Sequence, residues 1–172
     1  MRQSMNLPLC ERTREEYGGW DGLRRACAAL GLDGVEGIWS GGDIPADFPK
    51  DLLAGYHLTF FPDWLDFYRE DRKRLLYKFG SMDAVAWYYG GRTPETLVDL
   101  YRADLRRAAA LDAAYVVFHV TDVSVEENYT YRWLHTNEES IDAAAELLNL
   151  LPGDAAWPFA LLVEKPWWAG CT

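Results

Sequence analysis

The chain has 172 residues, of which 49% are hydrophobic and 26% charged, so it is long enough to bury one sizeable core. Its formal net charge of −10 makes long-range attraction to a polyanion unfavourable, which disfavours a nucleic-acid partner. No apolar run reaches the ~18 residues of a membrane span, and residues 1–6 lack the apolar centre of a signal peptide. We therefore expect a cytoplasmic protein without a membrane partner, folded as a single domain over 1–172.

The first half of the chain alternates short β-branched or aromatic runs with stretches of helical period, which is typical of βα units on a parallel sheet. A helix is predicted over 20–30, with Gly31 as its C-terminal glycine. After the third strand a long segment runs to residue 92, with a helical pattern around 64–79, and its many aromatic residues argue against disorder. The predicted strands of this half are 6–9, 34–38 and 54–58.

The second half continues the same alternation. Thr93, Pro94 and Glu95 form a helix start, and the helix is expected to reach about residue 111. A nearly continuous apolar strand over 115–118 then ends in His119. A capping box at 136–139 begins another helix, which stops at Pro152 and Gly153. The last predicted strand covers 159–163 and ends in Glu164.

The segment 69–78 is the most basic part of the chain. It carries five cationic side chains, interrupted by Glu70 and Asp71. Mixed signs of this kind are more typical of a solvated helix face than of a phosphate-binding groove, so we interpret the segment as such a face.

Three polar residues follow the apolar runs at the ends of predicted strands: His57, His119 and Glu164. Because the carboxyl ends of parallel barrel strands meet on one face, these three side chains are expected to share a site. Imidazole nitrogen and carboxylate oxygen suit Zn, Mn, Fe or Co. Such an ion polarises a sugar carbonyl or lowers the pKa of a bound water. The sequence therefore predicts a divalent metal as cofactor.

Three runs of the chain carry a resemblance to a known family: GYHLTFFPDWLDF over 55–67, YVVFHV over 115–120 and LVEKPWW over 162–168. They resemble the xylose-isomerase-like TIM-barrel superfamily, which includes sugar phosphate isomerases and epimerases and a family of apurinic endonucleases. The resemblance implies an α/β fold of parallel (β/α) TIM-barrel type. A whole barrel takes about 250 residues, so the chain is expected to form the N-terminal portion, a partial barrel truncated after about five strands.

The resemblance also implies roles for individual residues. His57, His119 and Glu164 match metal-binding positions, and Glu164 is in addition the expected catalytic residue in proton transfer next to a carbonyl. The implied function is metal-dependent isomerisation or epimerisation of a sugar or sugar phosphate. The residues that we expect to contact this small-molecule substrate are Trp64, Asp66, Trp87, Tyr88, Glu126 and Trp167.

Two other functions remain open. One is an apurinic-endonuclease-like phosphodiesterase, which the three candidate ligands allow. The other is a barrel fragment or interaction module without catalysis, because the family's further metal ligands lie on strands that follow the fifth. An open partial barrel exposes a strand edge and apolar interior, which proteins normally cover. A homodimer that covers this edge is therefore expected.

Overall fold

The protein is an α/β protein built on a five-stranded parallel sheet, in which the strands lie in chain order. The computed structural model describes residues 3–151 and 157–164. Three of the four connections between consecutive strands contain α-helices, whereas the connection between the second and third strands contains one short 3-10 turn. The strands are β1 (Ser4–Pro8), β2 (Gly34–Ile38), β3 (Leu53–His57), β4 (Tyr115–His119) and β5 (Ala160–Glu164).

Eight α-helices are found in the described ranges, and none of them is long and apolar enough to cross a bilayer. A short 3-10 turn, Lys50–Leu52, precedes β3. The helices are α1 (Glu11–Glu16), α2 (Trp20–Leu30), α3 (Leu65–Tyr68), α4 (Arg72–Phe79), α5 (Met82–Tyr89), α6 (Glu95–Ala110), α7 (Val125–Thr130) and α8 (Asn137–Leu150).

The chain divides into two compact units, each made of segments that are distant in sequence. Unit 1 comprises Met1–Thr59, Asp104–Phe118 and Trp157–Leu162. Unit 2 comprises Phe60–Ala103, His119–Ala156 and Val163–Thr172. That the whole chain is one domain stays a prediction.

Unit 1 contains most of the sheet. β2 is buried along most of its length, as expected for a parallel strand covered on both faces. Asp104 is fully buried, and its carboxylate accepts hydrogen bonds from the Tyr56 hydroxyl at 3.2 Å and the Thr59 amide at 2.7 Å. Arg107 pairs with the same carboxylate at 2.8 Å, so this charge is neutralised inside the unit. The network ties α6 to the end of β3.

Unit 2 is mainly helical and is held by capped helices over an aromatic core. Ser81 caps α5, and Thr136 caps α8 in the predicted capping box with Glu139. The rings of Phe67 and Tyr89 stack at 4.1 Å between centroids. These contacts fix the segment between β3 and α6, which sequence reasoning expected to be ordered.

The predicted strand over 34–38 and the predicted helix over 20–30 are confirmed, with Gly31 in the left-handed conformation that ends the helix. The first and third strands begin earlier than predicted, because Ser4 pairs with Gly34 and Leu53 pairs with Val35 in the sheet register. The pattern at 64–79 forms two helices, α3 and α4, because Glu70 has a positive φ of 55° between them.

Candidate functional site

The end of β4 and the end of β5 place two polar side chains in contact within unit 2. His119 is the last residue of β4 and Glu164 the last residue of β5. Nε2 of His119 lies 3.1 Å from Oε2 of Glu164, and the Val120 amide donates to the Glu164 carbonyl oxygen at 3.4 Å. The ring of Phe60 packs on the imidazole with centroids 4.2 Å apart, which limits its rotation. The histidine is largely covered, whereas about half of the glutamate side chain is exposed.

His57 occupies the corresponding position in unit 1, as the last residue of β3, and is buried. Its Nδ1 lies 2.9 Å from the carbonyl oxygen of Leu58. A carbonyl oxygen only accepts hydrogen bonds, so Nδ1 of His57 is the donor in this contact. A backbone carbonyl that holds one ring nitrogen in this way is the usual support of a metal-binding histidine.

The contact between His119 and Glu164 fits two ligands of one metal ion. Histidine nitrogen and carboxylate oxygen bind zinc at about 2.0–2.2 Å, so donor atoms at the observed separation subtend roughly 90–100° at a shared ion. Tetrahedral and octahedral coordination both accept angles near these values. One imidazole and one half-exposed carboxylate therefore form a suitable pair of ligands for Zn, Mn, Fe or Co.

A second polar cluster of unit 2 is buried and consists of ion pairs. The ammonium of Lys78 lies 2.6 Å from Asp63 and 2.6 Å from Asp66, whose side chain is only 1% exposed. Nε2 of His135 lies 2.9 Å from Asp66 and 3.8 Å from Asp122. The Asp122 carboxylate also accepts from the backbone amides that begin α3, at 2.7 and 2.8 Å.

The positions of these charges set the acidities in the cluster. Burial raises the pKa of Asp66, but the hydrogen bonds from His135 and Lys78 outweigh it and lower that pKa to about 2. Burial raises the pKa of Asp122 to about 6, and the nearby charge of Asp63 adds to the effect. For His135, burial lowers the pKa, but the contacts with Asp66 and Asp122 are stronger and the net shift is upward.

The predicted substrate residues fall into different environments. Trp64 is buried, and its Nε1 donates to the Thr121 carbonyl oxygen at 3.2 Å, while Asp66 belongs to the buried cluster. Trp87 on α5 is 85% exposed. Tyr88 and Glu126 line one cavity of about 450 Å³. Trp167 lies outside the described residues. That any of these residues contacts a substrate stays a prediction.

Sequence reasoning missed several residues that the structure makes prominent. Phe60 packs against His119, and a short aromatic run carries no signal for that contact. The interpretation of the segment 69–78 as a solvated helix face is wrong for Lys78, whose side chain is only 10% exposed and pairs with Asp63 inside unit 2. The short helix α7 was also missed, although Ser124 and Glu127 have the spacing of a capping box and form one.

Comparison with known proteins gives no match for this chain, whether with family models, curated proteins or solved structures. The class that the fold defines is therefore an α/β protein with a five-stranded parallel sheet. The resemblance to the xylose-isomerase-like superfamily stays a prediction.

Proposed function

We propose that the protein is a metal-dependent isomerase or epimerase acting on a sugar or sugar phosphate. The observation that carries the proposal is the position of His57, His119 and Glu164, each the last residue of its strand in three neighbouring parallel strands. In α/β barrels this end of the sheet is where catalytic residues lie.

The order of the strands supports a barrel-type fold for this proposal. All five strands follow one another in chain order, without the reversal that marks a doubly wound sheet. Sheets that close into (β/α) barrels grow in this way, each new strand being added on the same side. We therefore propose a partial (β/α) barrel of the xylose-isomerase-like kind as the fold.

The three side chains have different proposed roles, as metal ligands and as the base. His119 and Glu164 would hold the metal, with His57 as the third ligand that we propose. A bound divalent ion supplies a Lewis acid that polarises the substrate carbonyl. The carboxylate of Glu164, half exposed, is also the base that we propose for the carbon next to that carbonyl: it accepts the carbon-bound proton and, in an isomerisation, returns it to the neighbouring carbon on the same face. In an epimerisation, a second acid or a water molecule would supply the proton to the opposite face. Phe60 keeps the imidazole ring of His119 oriented.

Exchange of solvent deuterium into the substrate tests this function directly. The protein, supplied in turn with Zn, Mn or Co, is incubated in D2O with a panel of aldoses, ketoses and their phosphates, and proton NMR follows the carbon-bound hydrogen next to the carbonyl. We expect metal-dependent exchange or epimerisation of at least one sugar, with a loss of at least ~100-fold in Glu164→Gln, which keeps the side-chain volume but removes the base.

The matched control is Glu138→Gln, which makes the same change at an exposed position on α8 and should retain full activity. Absence of exchange with every sugar and metal, or equal activity in the Glu164 and Glu138 variants, would contradict the proposal. Metal-dependent cleavage of abasic DNA would replace it with the phosphodiesterase alternative.

A further inference from the structure

Unit 2 contains a cavity of about 470 Å³ between α4 and the segment that follows β4, which we call the α4–α7 cavity. This volume falls within the range of small-molecule sites, about 300–1,000 Å³. The residues that matter for its chemistry are Lys73, Arg74, Tyr77, Glu126, Arg132 and Leu134.

The cavity is locally cationic in an acidic protein. Seven charged side chains line it, four of them basic and three acidic, whereas the whole chain has a formal net charge of −10. A local excess of positive charge on such a surface concentrates small anions at that place. Which of these charges a ligand would meet depends on the partners that they already have.

Two of the three acidic groups are already engaged by the protein. The Glu127 carboxylate is buried and accepts from the amides of Ser124 and Leu134, at 2.7 Å each. Asp71 caps α4 by accepting from the Arg74 amide at 3.0 Å. The Asp71 side chain is 42% exposed but also lies 3.6 Å from Nε of Arg74, whereas Glu126, exposed on α7, takes part in no ion pair within 3–151 and 157–164.

Of the four basic side chains of the cavity, two are already paired with carboxylates and two are not. Lys78 is neutralised by Asp63 and Asp66, and Arg74 pairs with Asp66 at 3.4 Å. Lys73 and Arg132 are exposed, and within 3–151 and 157–164 neither takes part in an ion pair. Two cations without a carboxylate partner in the described ranges therefore line the cavity, together with the exposed carboxylate of Glu126.

We propose that the α4–α7 cavity binds a small molecule that carries a carboxylate or a phosphate together with a hydroxyl or amino group. Lys73 and Arg132 bind the oxyanion, because a guanidinium fork matches two of its oxygens and an ammonium adds a point charge. The Glu126 carboxylate accepts a hydrogen bond from the hydroxyl or amino group of the ligand, and its negative charge disfavours the binding of polyanions. Tyr77 and Leu134 pack against the apolar part of the ligand. The site uses neither His119 nor Glu164 and does not depend on the proposed metal; it shares with the proposed function only Glu126, one of the expected substrate contacts.

NMR titration of the full chain with two probes, inorganic phosphate and glycolate, tests the proposal at constant ionic strength. We expect saturable shifts of the amides in the segment 124–134 with at least one probe. Saturation by phosphate alone or by glycolate alone supports the proposal and identifies the preferred oxyanion. In the double variant Lys73→Gln with Arg132→Gln the dissociation constant should rise at least ~10-fold, because both charge-assisted contacts are lost.

The matched control removes the same two charges elsewhere, in Arg72→Gln with Arg106→Gln. Arg72 neighbours Lys73 on α4 but does not line the cavity, and both control residues are exposed. The dissociation constant of this control should stay within about twofold of the wild type, since exposed charges that do not contact the ligand are screened by water and salt. No saturable shift with either probe, or the same loss of affinity in both double variants, would overturn the proposal.

Discussion

At the scale of single residues, Lys78 has the most consequential environment in unit 2. Its ammonium is the shared partner of two buried carboxylates, those of Asp63 and Asp66. Burial lowers its pKa, but the two aspartates outweigh that effect and raise it, so the lysine stays charged. This lysine therefore serves as a structural cation.

Replacing Lys78 by methionine should lower the free energy of unfolding by about 3 kcal/mol, because both aspartates lose the cation that compensates their burial. Urea unfolding followed by circular dichroism measures the change. The control Arg72→Met alters the same helix at an exposed position and should change stability by less than ~0.5 kcal/mol. Equal effects of the two substitutions would contradict the role of Lys78 in the buried cluster.

The stability of the protein should fall as the pH rises above 6.5, the ordinary pKa of a histidine. The folded state raises the pKa of His135, so its protonated form stabilises the fold below the unfolded pKa and this contribution disappears above the folded one. The raised pKa of Asp122, about 6, also makes the stability fall as the pH rises, but over the range from its ordinary value of 3.8 to about 6. Asp66 acts in the opposite direction, but only as the pH falls below about 4 towards its pKa of about 2.

Urea unfolding at a series of pH values measures this dependence in the wild type and in His135→Gln. The charges that face His135 come from several elements: Asp66, Arg74, Asp122 and Glu139. We expect the variant to lose most of the decrease in stability that the wild type shows above pH 6.5. The same pH dependence in both proteins would show that another group titrates.

At the scale of elements, helix caps explain where several helices begin. The Thr136 hydroxyl oxygen accepts a hydrogen bond from the Glu139 amide at 3.2 Å, and the Glu139 carboxylate accepts one from the Thr136 amide at 2.7 Å. Substitution Thr136→Ala should lower the free energy of unfolding by about 1 kcal/mol, because an amide of the first turn loses its acceptor. Thr136→Ser keeps the hydroxyl and should remain within ~0.5 kcal/mol of the wild type. Thermal unfolding distinguishes the two variants, and equal losses would exclude the cap as the cause.

Much of the fold could be predicted from local signals of this kind. Gly31, Thr136 and the apolar run at 115–118 mark boundaries that the structure has at or near the predicted residues. The helices α1 and α7 have only six residues each, too few for a periodic pattern to appear. Short helices depend on tertiary contacts for their stability, and those contacts cannot be read from the sequence.

The candidate site could be predicted only in part, for a physical reason. His57, His119 and Glu164 follow apolar strands directly, so the positions of strand ends were visible in the sequence. The packing of Phe60 on His119 and the pairing of Lys78 with two aspartates depend on how segments meet in space. Such contacts between side chains leave no periodicity in the sequence.

At the scale of the whole molecule, β5 is the most exposed strand of the sheet. Leu161 and Leu162 are each 46% exposed and Val163 is 57% exposed, although strands of parallel sheets are normally covered on both faces. Within the described ranges β5 is an edge strand of the sheet. The homodimer expected from the sequence therefore stays a prediction, and β5 is the surface on which it depends.

Sedimentation velocity at several protein concentrations tests the homodimer. We expect a dimer for the wild type and a shift to monomer in Leu162→Lys, since a charge on an edge strand opposes pairing with another chain. The control Leu30→Lys changes a leucine that is 66% exposed on α2 and should leave the dimer intact. A wild-type monomer at every concentration would contradict the prediction.

Elemental analysis of the protein after dialysis tests the metal site that we propose at the carboxyl ends of the strands. We expect about one equivalent of Zn, Mn, Fe or Co per chain in the wild type and in Glu138→Gln. In His119→Ala and Glu164→Gln the metal should fall at least ~10-fold while the fold is retained, because each substitution removes a proposed ligand. A metal-free wild type, or an unchanged metal content in both ligand variants, would contradict the proposed metal site.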